Sequence, residues 1–558
     1  MPPAWDSDNR SIGSTLTAHG GCFSPPTDVG HNKMELIMLT RLRWFVSLLV
    51  TCIAIPPTFA AEPSQPNILL ILCDDLGYGD VRCLNPDGKI ATPNMDRIAR
   101  EGMIFTDAHT SSAVCSPTRY GLMTGRYNWR TKLQSGVLGG LSPRLIEPGR
   151  MTVASMLKQQ GYHTACVGKW HLGMDWVKKP GKDVTELNIE PREQVFNVDY
   201  SQPITNGPNS VGFDEYFGIS ASLDMVPFTY IANDRVVWPP TEDRDFELMI
   251  GREKGKTRLG PTAPGFDVAN VLPDLTNKAC EFINRRAADA FVGKPFFLYL
   301  PFASPHTPIH PKKEWLGKSG LNPYADFVMQ QDAAIGQLLD TLDKHRLTDN
   351  TLVIFTSDNG CSPQAKFDEL LAKGHNPNHI FRGHKADIYE GGHRVPFLVR
   401  WPGRVKAGSK TDQLTCLIDV TATVAEIVGS KLPDNAAEDS ISFLPTLLGE
   451  TDKPARTTLV SHSINGSFAI RDGSWKLCLC PGSGGWSNPR PGMKNTDLPP
   501  NQLFDLSTDI GEQSNLQDKH PETVARLTKL LEKYVTDGRS TPGESQPNAV
   551  AIKIRKGM

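Results

Sequence analysis

Uninterrupted apolar runs recur along the chain at Asn67–Cys73 (NILLILC), Pro295–Leu300 (PFFLYL) and Thr351–Thr356 (TLVIFT), with a weaker one at Thr164–Val167. Runs without polar alternation suit strands buried on both faces, the habit of parallel sheets. Between them apolar residues return at helical spacing over Pro93–Glu101, Val153–Gln160, Leu275–Arg286 and Tyr324–Lys344. In the last of these the buried stripe is Phe327, Ile335, Leu338, Leu339 and Leu342. Strands alternating with helices predict an α/β fold, a mostly parallel sheet flanked by helices. From about Lys453 the texture changes. Short strand patterns at Ser467–Ile470, Trp475–Cys480 and Gln502–Leu506, with an Asp472-Gly473 turn, precede a helix over Pro521–Tyr534. They predict a small antiparallel sheet plus helix, then a polar tail from Gly538.

The polar residues fall where a ligand site belongs. Each apolar run ends in chemistry: Asp74-Asp75 after the first, Gly168-Lys169-Trp170-His171 after the weak one, Ser304-Pro305-His306 after the third, and Asp358-Asn359 after the last. In open α/β sheets ligands bind beyond the carboxyl ends of the strands. Separate segments thus send side chains to one edge.

Composition narrows the partners. The chain of 558 residues is 39% hydrophobic and 22% charged with a formal net charge of −2, enough for a large core and no polyanion-binding face, so nucleic acid is not expected. Eleven cysteines without CxxC pairs make neither a zinc site nor a disulfide scaffold, although Cys73 with Cys83, or Cys478 with Cys480, could pair in an oxidising compartment. Arg41 and Arg43 before the apolar run Trp44–Ile55, with Thr58, Ala60 and Ala61 after it, read as a signal peptide. The run is short for a membrane span, so no stable membrane insertion is expected; a retained anchor is the alternative. Residues 1–33 are polar and aperiodic, and Met34 or Met38 is an alternative start to Met1.

Cys115 needs its own explanation. It opens Cys115-Ser116-Pro117-Thr118-Arg119, with Thr124-Gly125-Arg126 downstream, a plausible helix start with Pro117 in the first turn and Arg119 one turn on. By itself this fits a small buried thiol, or a thiolate tuned by Arg119 and the helix dipole. The stretch also resembles the formylglycine motif of type I sulfatases, in which a maturation enzyme oxidises the cysteine to an aldehyde. The hydrated aldehyde has two hydroxyls on one carbon, so one attacks sulfur and the other later expels sulfate. The resemblance covers roughly Pro66 to Leu516, and includes Gly212–Gly218 and Ala469–Leu477.

The resemblance implies an alkaline-phosphatase-like fold, one Ca2+ ion and a sulfuric ester hydrolase of the arylsulfatase type. By similarity Asp74, Asp75, Asp358 and Asn359, together with residue 115, ligate the metal; an all-oxygen protein set suits calcium. For either pair taken alone, a helix cap or Asx turn is the plainer explanation. Three carboxylates stacked without a cation would raise one another's pKa values. Arg119 and Lys169 are expected on the nucleophile side, and His171 at the formylglycine hydroxyl. His306 and Lys385 are expected near the leaving oxygen, where a proton is needed. Ser222 is a further sulfate contact, with a simple loop hydroxyl as its alternative. His310, His375, His379, His384 and His393 are expected at the surface or the substrate rim.

With the resemblance the chain divides into a leader (1–33), a signal peptide (34–61), a catalytic domain (62–452), a C-terminal subdomain (453–537) and a tail (538–558). The enzyme would be secreted or periplasmic. Segments 175–209, 241–267 and 481–500 do not match closely, and substrate choice is expected there. Trp486, Asn488, Arg490 and Lys494 suit a sulfated carbohydrate, though a solvated loop without a role fits them too. Two rivals remain, a phosphonate or phosphodiester hydrolase of the same superfamily and a non-catalytic relative that binds sulfated glycans.

Overall fold

Leu69, Ile71 and Cys73 pack into one core layer while Ile68, Leu70 and Leu72 pack into another, as a strand sandwiched between two helical layers requires. This strand, β1 (Asn67–Asp74), lies near the middle of a ten-stranded sheet. The structure is a computed structural model that describes residues 65–251, 255–450, 454–493 and 498–556. The expected leader and signal peptide, and Lys494, lie outside the described residues.

Four further strands carry the site: β2 (His163–Lys169), β3 (Glu215–Ile219), β4 (Phe296–Pro305) and β5 (Thr351–Ser357). They stand in the order β5, β1, β4, β2, β3, each neighbouring pair parallel, with Leu70 in register with Tyr299 on one side and Ile354 on the other. Short strands complete the edges. Phe397–Arg400 pairs antiparallel with β5 and is followed by Met103–Phe105 and Ser409–Thr411, while Ile231–Ala232 and Arg235–Val236 extend the β3 side. Because the five central strands are parallel, their carboxyl ends share one edge. That edge receives Asp74, Lys169, His306 and Asp358.

Three helices matter for the site: α1 (Cys115–Thr124), α2 (Val271–Phe291) and α3 (Pro323–Lys344). Phe282 and Ile283 of α2 and Leu338, Leu339 and Leu342 of α3 cover the Leu69 face; Tyr120, Leu122 and Met123 of α1 cover the opposite one. α3 begins with Asn322, whose side chain accepts the Ala325 amide at 3.2 Å, and with Pro323 at the first helical position. α1 ends at Gly125, in the left-handed region (φ 65°), and a Cβ there would lie 2.8 Å from that of Ala437. Only glycine fits that position.

Thr458–His462, Phe468–Asp472, Trp475–Cys478 and Gln502–Asp505 form the second, antiparallel sheet, one strand more than the sequence patterns predict. Leu527 and Leu531 of the helix Pro521–Asp537 close its core over Leu459 and Ile470. The polar stretch after Gly538 packs too. Arg126 donates to Pro547 O, Arg130 to Asn548, and Ile552 and Ile554 rest against this core.

The nine described cysteines are free thiols, so neither Cys73 with Cys83 nor Cys478 with Cys480 is paired.

Just past α1, Arg130 makes a two-pronged ion pair with Asp439, both bonds 2.8 Å, with the Trp129 ring 4.1 Å from its guanidinium. Both side chains are fully buried. Burial pushes the Asp439 carboxyl up, but Arg130 outweighs it and holds the group below the usual range. Removing one partner of such a pair strands the other charge, so Asp439→Ala is expected to cost about 3–5 kcal/mol, read as a lower guanidinium midpoint. Because the folded-state pKa is depressed, the pair's contribution is complete above about pH 4. It is lost as the pH falls through the folded value. An Asp439→Ala midpoint equal to wild type would exclude this role.

Candidate active site

The chain leaves β1 at Asp74 and turns at once, with Asp75 in the left-handed region (φ 66°). β5 ends beside it and delivers Asp358 and Asn359. The Asp75 amide donates to Asp358 Oδ1 (3.3 Å), and Asn359 Nδ2 donates to Asp75 Oδ1 (2.7 Å). From β2 comes Lys169, hydrogen-bonded to Asp74 Oδ2, then His171 after a left-handed turn (φ 55°). His171 Nε2–H donates to Leu138 O at 2.8 Å, which leaves Nδ1 as a bare, buried acceptor. His306 follows β4. Its Nδ1–H donates to Thr307 O (2.6 Å), so the Nε2 lone pair faces Asp75 Oδ2 at 3.7 Å. Lys385 reaches in from a loop to 2.6 Å from Asp75 Oδ1.

Cys115 is the first residue of α1 and is buried. Arg119, one turn on, donates to Asp358 Oδ2 (3.1 and 2.8 Å) and to Lys169 O (2.8 Å), and lies 3.5 Å from Asp74 Oδ2. Ser222 sits on the loop after β3 with its hydroxyl buried and unpartnered. That loop is seated on the β2 turn, because the His171 amide donates to Ser220 O at 2.9 Å. The structure therefore draws the expected site residues to the carboxyl edge of the sheet.

Burial sets the electrostatics. It pushes the Cys115 thiol up, although Lys169 and Lys385 pull the other way. A buried thiol so placed is a poor thiolate, which weakens the thiol-nucleophile reading. Burial, then Lys169 and Arg119, hold His171 well below the usual imidazole value; burial and Lys385 lower His306. Burial and Asp74 raise Asp358 to about 7, as expected for stacked carboxylates. Asp74 does not follow that expectation. Burial pushes it up, but Lys169, His306 and Arg119 together hold it far below the usual range. Lys385 is held above its ordinary value, burial being outweighed by Asp75.

Three buried oxygens in this nest, Asp74 Oδ1, Asp75 Oδ2 and Asn359 Oδ1, have no hydrogen-bond partner. Stranding such atoms is costly unless something binds them. An all-oxygen set with three bare acceptors fits a hard cation. Ligand atoms of Asp74, Asp75 and His306 also come within 4.8 Å of one another. A second cluster of that kind, His109, Glu390 and His393, already holds a cation. Lys476 Nζ lies 3.0 Å from both Glu390 Oε1 and His393 Nε2.

This corrects two of the histidine expectations. His393 is buried and accepts from Lys476, so its Nδ1–H donates to His109 (3.0 Å), whose Nε2–H donates to Asp107 (2.7 Å). His375 is also fully buried, against Asp80. Neither is at the surface or rim. Lone histidines carry no sequence signal that separates the two fates.

A parallel α/β sheet that gathers cations around a buried cysteine and a carboxylate nest is suited to an anionic ester. The Sulfatase family model matches residues 66–430. The N-acetylgalactosamine-6-O-sulfatase of Bacteroides thetaiotaomicron is 37% identical over 511 residues, 85% of this chain and 93% of that protein. Arylsulfatase A of Bos taurus is 32% identical, covering 87% of this chain and 91% of its own. A solved structure from work on the metabolism of multiple glycosaminoglycans by Bacteroides thetaiotaomicron superposes with a TM-score of 0.70 at 35% identity, covering 84% of this chain and 99% of that one. The chain belongs to the sulfatase family. It is a sulfuric ester hydrolase on the alkaline-phosphatase-like α/β fold.

Proposed function

We propose that the protein removes sulfate from sulfated carbohydrates, with 6-O-sulfated N-acetylgalactosamine the substrate to test first, through a formylglycine made from Cys115. The observation that carries this reading is the convergence of Lys169, Lys385, Arg119, His171 and His306 at the strand ends next to Cys115. The named sugar comes from the relative that is 37% identical. In the oxidised and hydrated form, residue 115 supplies two hydroxyls on one carbon, one to bond sulfur and one to release sulfate. Asp74, Asp75, Asp358 and Asn359 would hold one Ca2+, which when bound offsets the negative charge of the sulfate group.

The chain's own groups supply the rest. The bare Nδ1 of His171 is an acceptor that can hold the proton of a hydroxyl at position 115. Lys385 offers N–H to the leaving alcohol oxygen, and His306, once protonated at Nε2, does the same. Lys169 places positive charge where the transferring group gains negative charge, and Ser222 offers its free hydroxyl to a sulfate oxygen. The segment 34–61 supports export, and no described helix is long and apolar enough to cross a membrane.

The loop with Trp486 has support as a sugar platform. Its backbone amides at 486 and 487 donate to Asp387 Oδ1 (2.7 and 3.0 Å), and His384 Nε2 meets Ser487 Oγ at 3.0 Å. Trp486 is thereby clipped to the segment that carries Lys385, half-buried with one part open. The test compares kcat/KM on aryl sulfate, aryl phosphodiester and sulfated oligosaccharide. Sulfate esters should be preferred, and a faster phosphodiester reaction overturns the reading in favour of the phosphorus hydrolase. Trp486→Ala should lose about 10-fold on the oligosaccharide, the worth of one aromatic contact. On the small aryl sulfate it should change little. Equal effects on both would leave the loop without a substrate role.

A further inference from the structure

Asp80 takes no part in the chemistry above, yet it is buried and fully engaged five residues beyond Asp75. Its Oδ2 accepts the Gly77 amide at 2.8 Å and the hydroxyl of Tyr324; its Oδ1 meets His375 Nε2 at 2.9 Å. His375 Nδ1 accepts the Lys89 amide (3.2 Å), so its Nε2 carries the hydrogen and donates to Asp80. The tautomer is thus fixed from the far side of the ring.

Tyr324 projects from α3 into the gap between the ends of β1 and β5. Its hydroxyl lies 3.2 Å from the carbonyl oxygen of Asp75 and accepts from the Cys361 thiol at 3.2 Å. Cys361 is two residues beyond Asn359. One oxygen atom therefore touches both segments that offer ligands to the cation nest. The contact is tight elsewhere as well. A Cβ on Gly77 would fall 2.9 Å from the Cβ of Cys361 and 2.3 Å from Pro377 O. Asp75 itself is a non-glycine residue in the left-handed region, a conformation that persists only where the surroundings hold it.

We propose that Tyr324, backed by Asp80 and His375, is a positioning residue for the cation site. It ties the Asp75 turn to the loop after Asn359 and so sets the spacing of the two ligand pairs. The inference rests on the reading that Asp74, Asp75, Asp358 and Asn359 bind calcium. Partners that orient ligands in this way commonly change metal affinity by about 10- to 100-fold when removed.

The test uses the full-length purified protein and calcium itself as the probe. Calcium affinity is measured by calorimetric titration of wild type and Tyr324→Phe, and melting is followed with calcium and with chelator. Tyr324→Phe should bind calcium roughly 10- to 100-fold more weakly, and its melting should fall further below wild type in calcium than in chelator, where only the lost bond to Asp80 counts. Restoring saturating calcium should recover most of the turnover. Wild-type affinity in the variant overturns the proposal, and so does a loss of melting temperature that is equal with and without calcium, which is the mark of a merely structural contact. Should Tyr324→Phe not accumulate as folded protein, Asp80→Ala removes the acceptor of the same bond and is read by the same two criteria. A wild-type protein that fails to bind calcium overturns the cation assignment and this inference together. Binding in the wild type with no change in the variant overturns this inference alone.

Discussion

Cys115→Ala is expected to remove turnover by a factor on the order of 10^4 or more, the scale seen when a covalent nucleophile is deleted. The change should cost no more than about 1 kcal/mol of stability, since it deletes one small atom at the start of α1. Burial raises the Cys115 thiol more than Lys169 and Lys385 lower it, so the unmodified side chain is protonated and weakly nucleophilic at neutral pH. Arg119, which the sequence offered as a tuner of that thiol, has committed its hydrogen bonds to Asp358 and the Lys169 carbonyl. This favours the proposed formylglycine over the thiol as the reacting group at this position. Mass spectrometry of the peptide over residues 103–126 should find an aldehyde at 115 in the active fraction. A fully active preparation that carries only the thiol would refute the formylglycine mechanism.

Much of this architecture was legible in the sequence because it rests on local patterns. The run NILLILC is apolar at every second position on both faces, and it lies in the sheet between two core layers. Asp74, His171, His306 and Asp358 were visible as polar residues that follow such runs. The edge strands were not, because Ile231–Ala232 or Ser409–Thr411 are too short to show a period. β4 extends through Pro301 to Pro305, well past Leu300. Proline removes a ladder donor and normally argues against a central strand; here the pairing with β1 shifts register between Leu72 and Asp74, and Asp74 faces Pro305. α2 starts at Val271, before the expected Leu275, with Pro273 tolerated in its first turn. The positioning cluster of Asp80, Tyr324 and His375 left no trace at all. Its members are brought together from three distant segments, and each one alone reads as an ordinary loop or helix residue.

Removal of calcium is expected to lower both activity and thermal stability, and Asp358→Ala should abolish the calcium-dependent part of each. Asp74 Oδ1, Asp75 Oδ2 and Asn359 Oδ1 are buried acceptors without donors, and Asp358 is driven to about 7 by burial and by Asp74. Lys169, Lys385 and Arg119 match the three carboxylates in number, but they bind other oxygens and leave those three bare. A divalent cation would satisfy the bare oxygens and draw Asp358 into its ionised form. A ligand bound only to the folded state stabilises it by about 2.7 kcal/mol at a hundredfold excess over its Kd. Melting curves with calcium and with chelator should therefore separate clearly for the wild type and coincide for Asp358→Ala. Loss of a simple cap or Asx turn would instead cost about 1 kcal/mol in both conditions, and that outcome would return Asp358 to a structural role. Stoichiometric zinc with zinc-dependent activity would reject calcium and favour the phosphorus-hydrolase reading, because oxygen ligands without thiolate or a histidine cluster are a poor match for zinc in a sulfatase site.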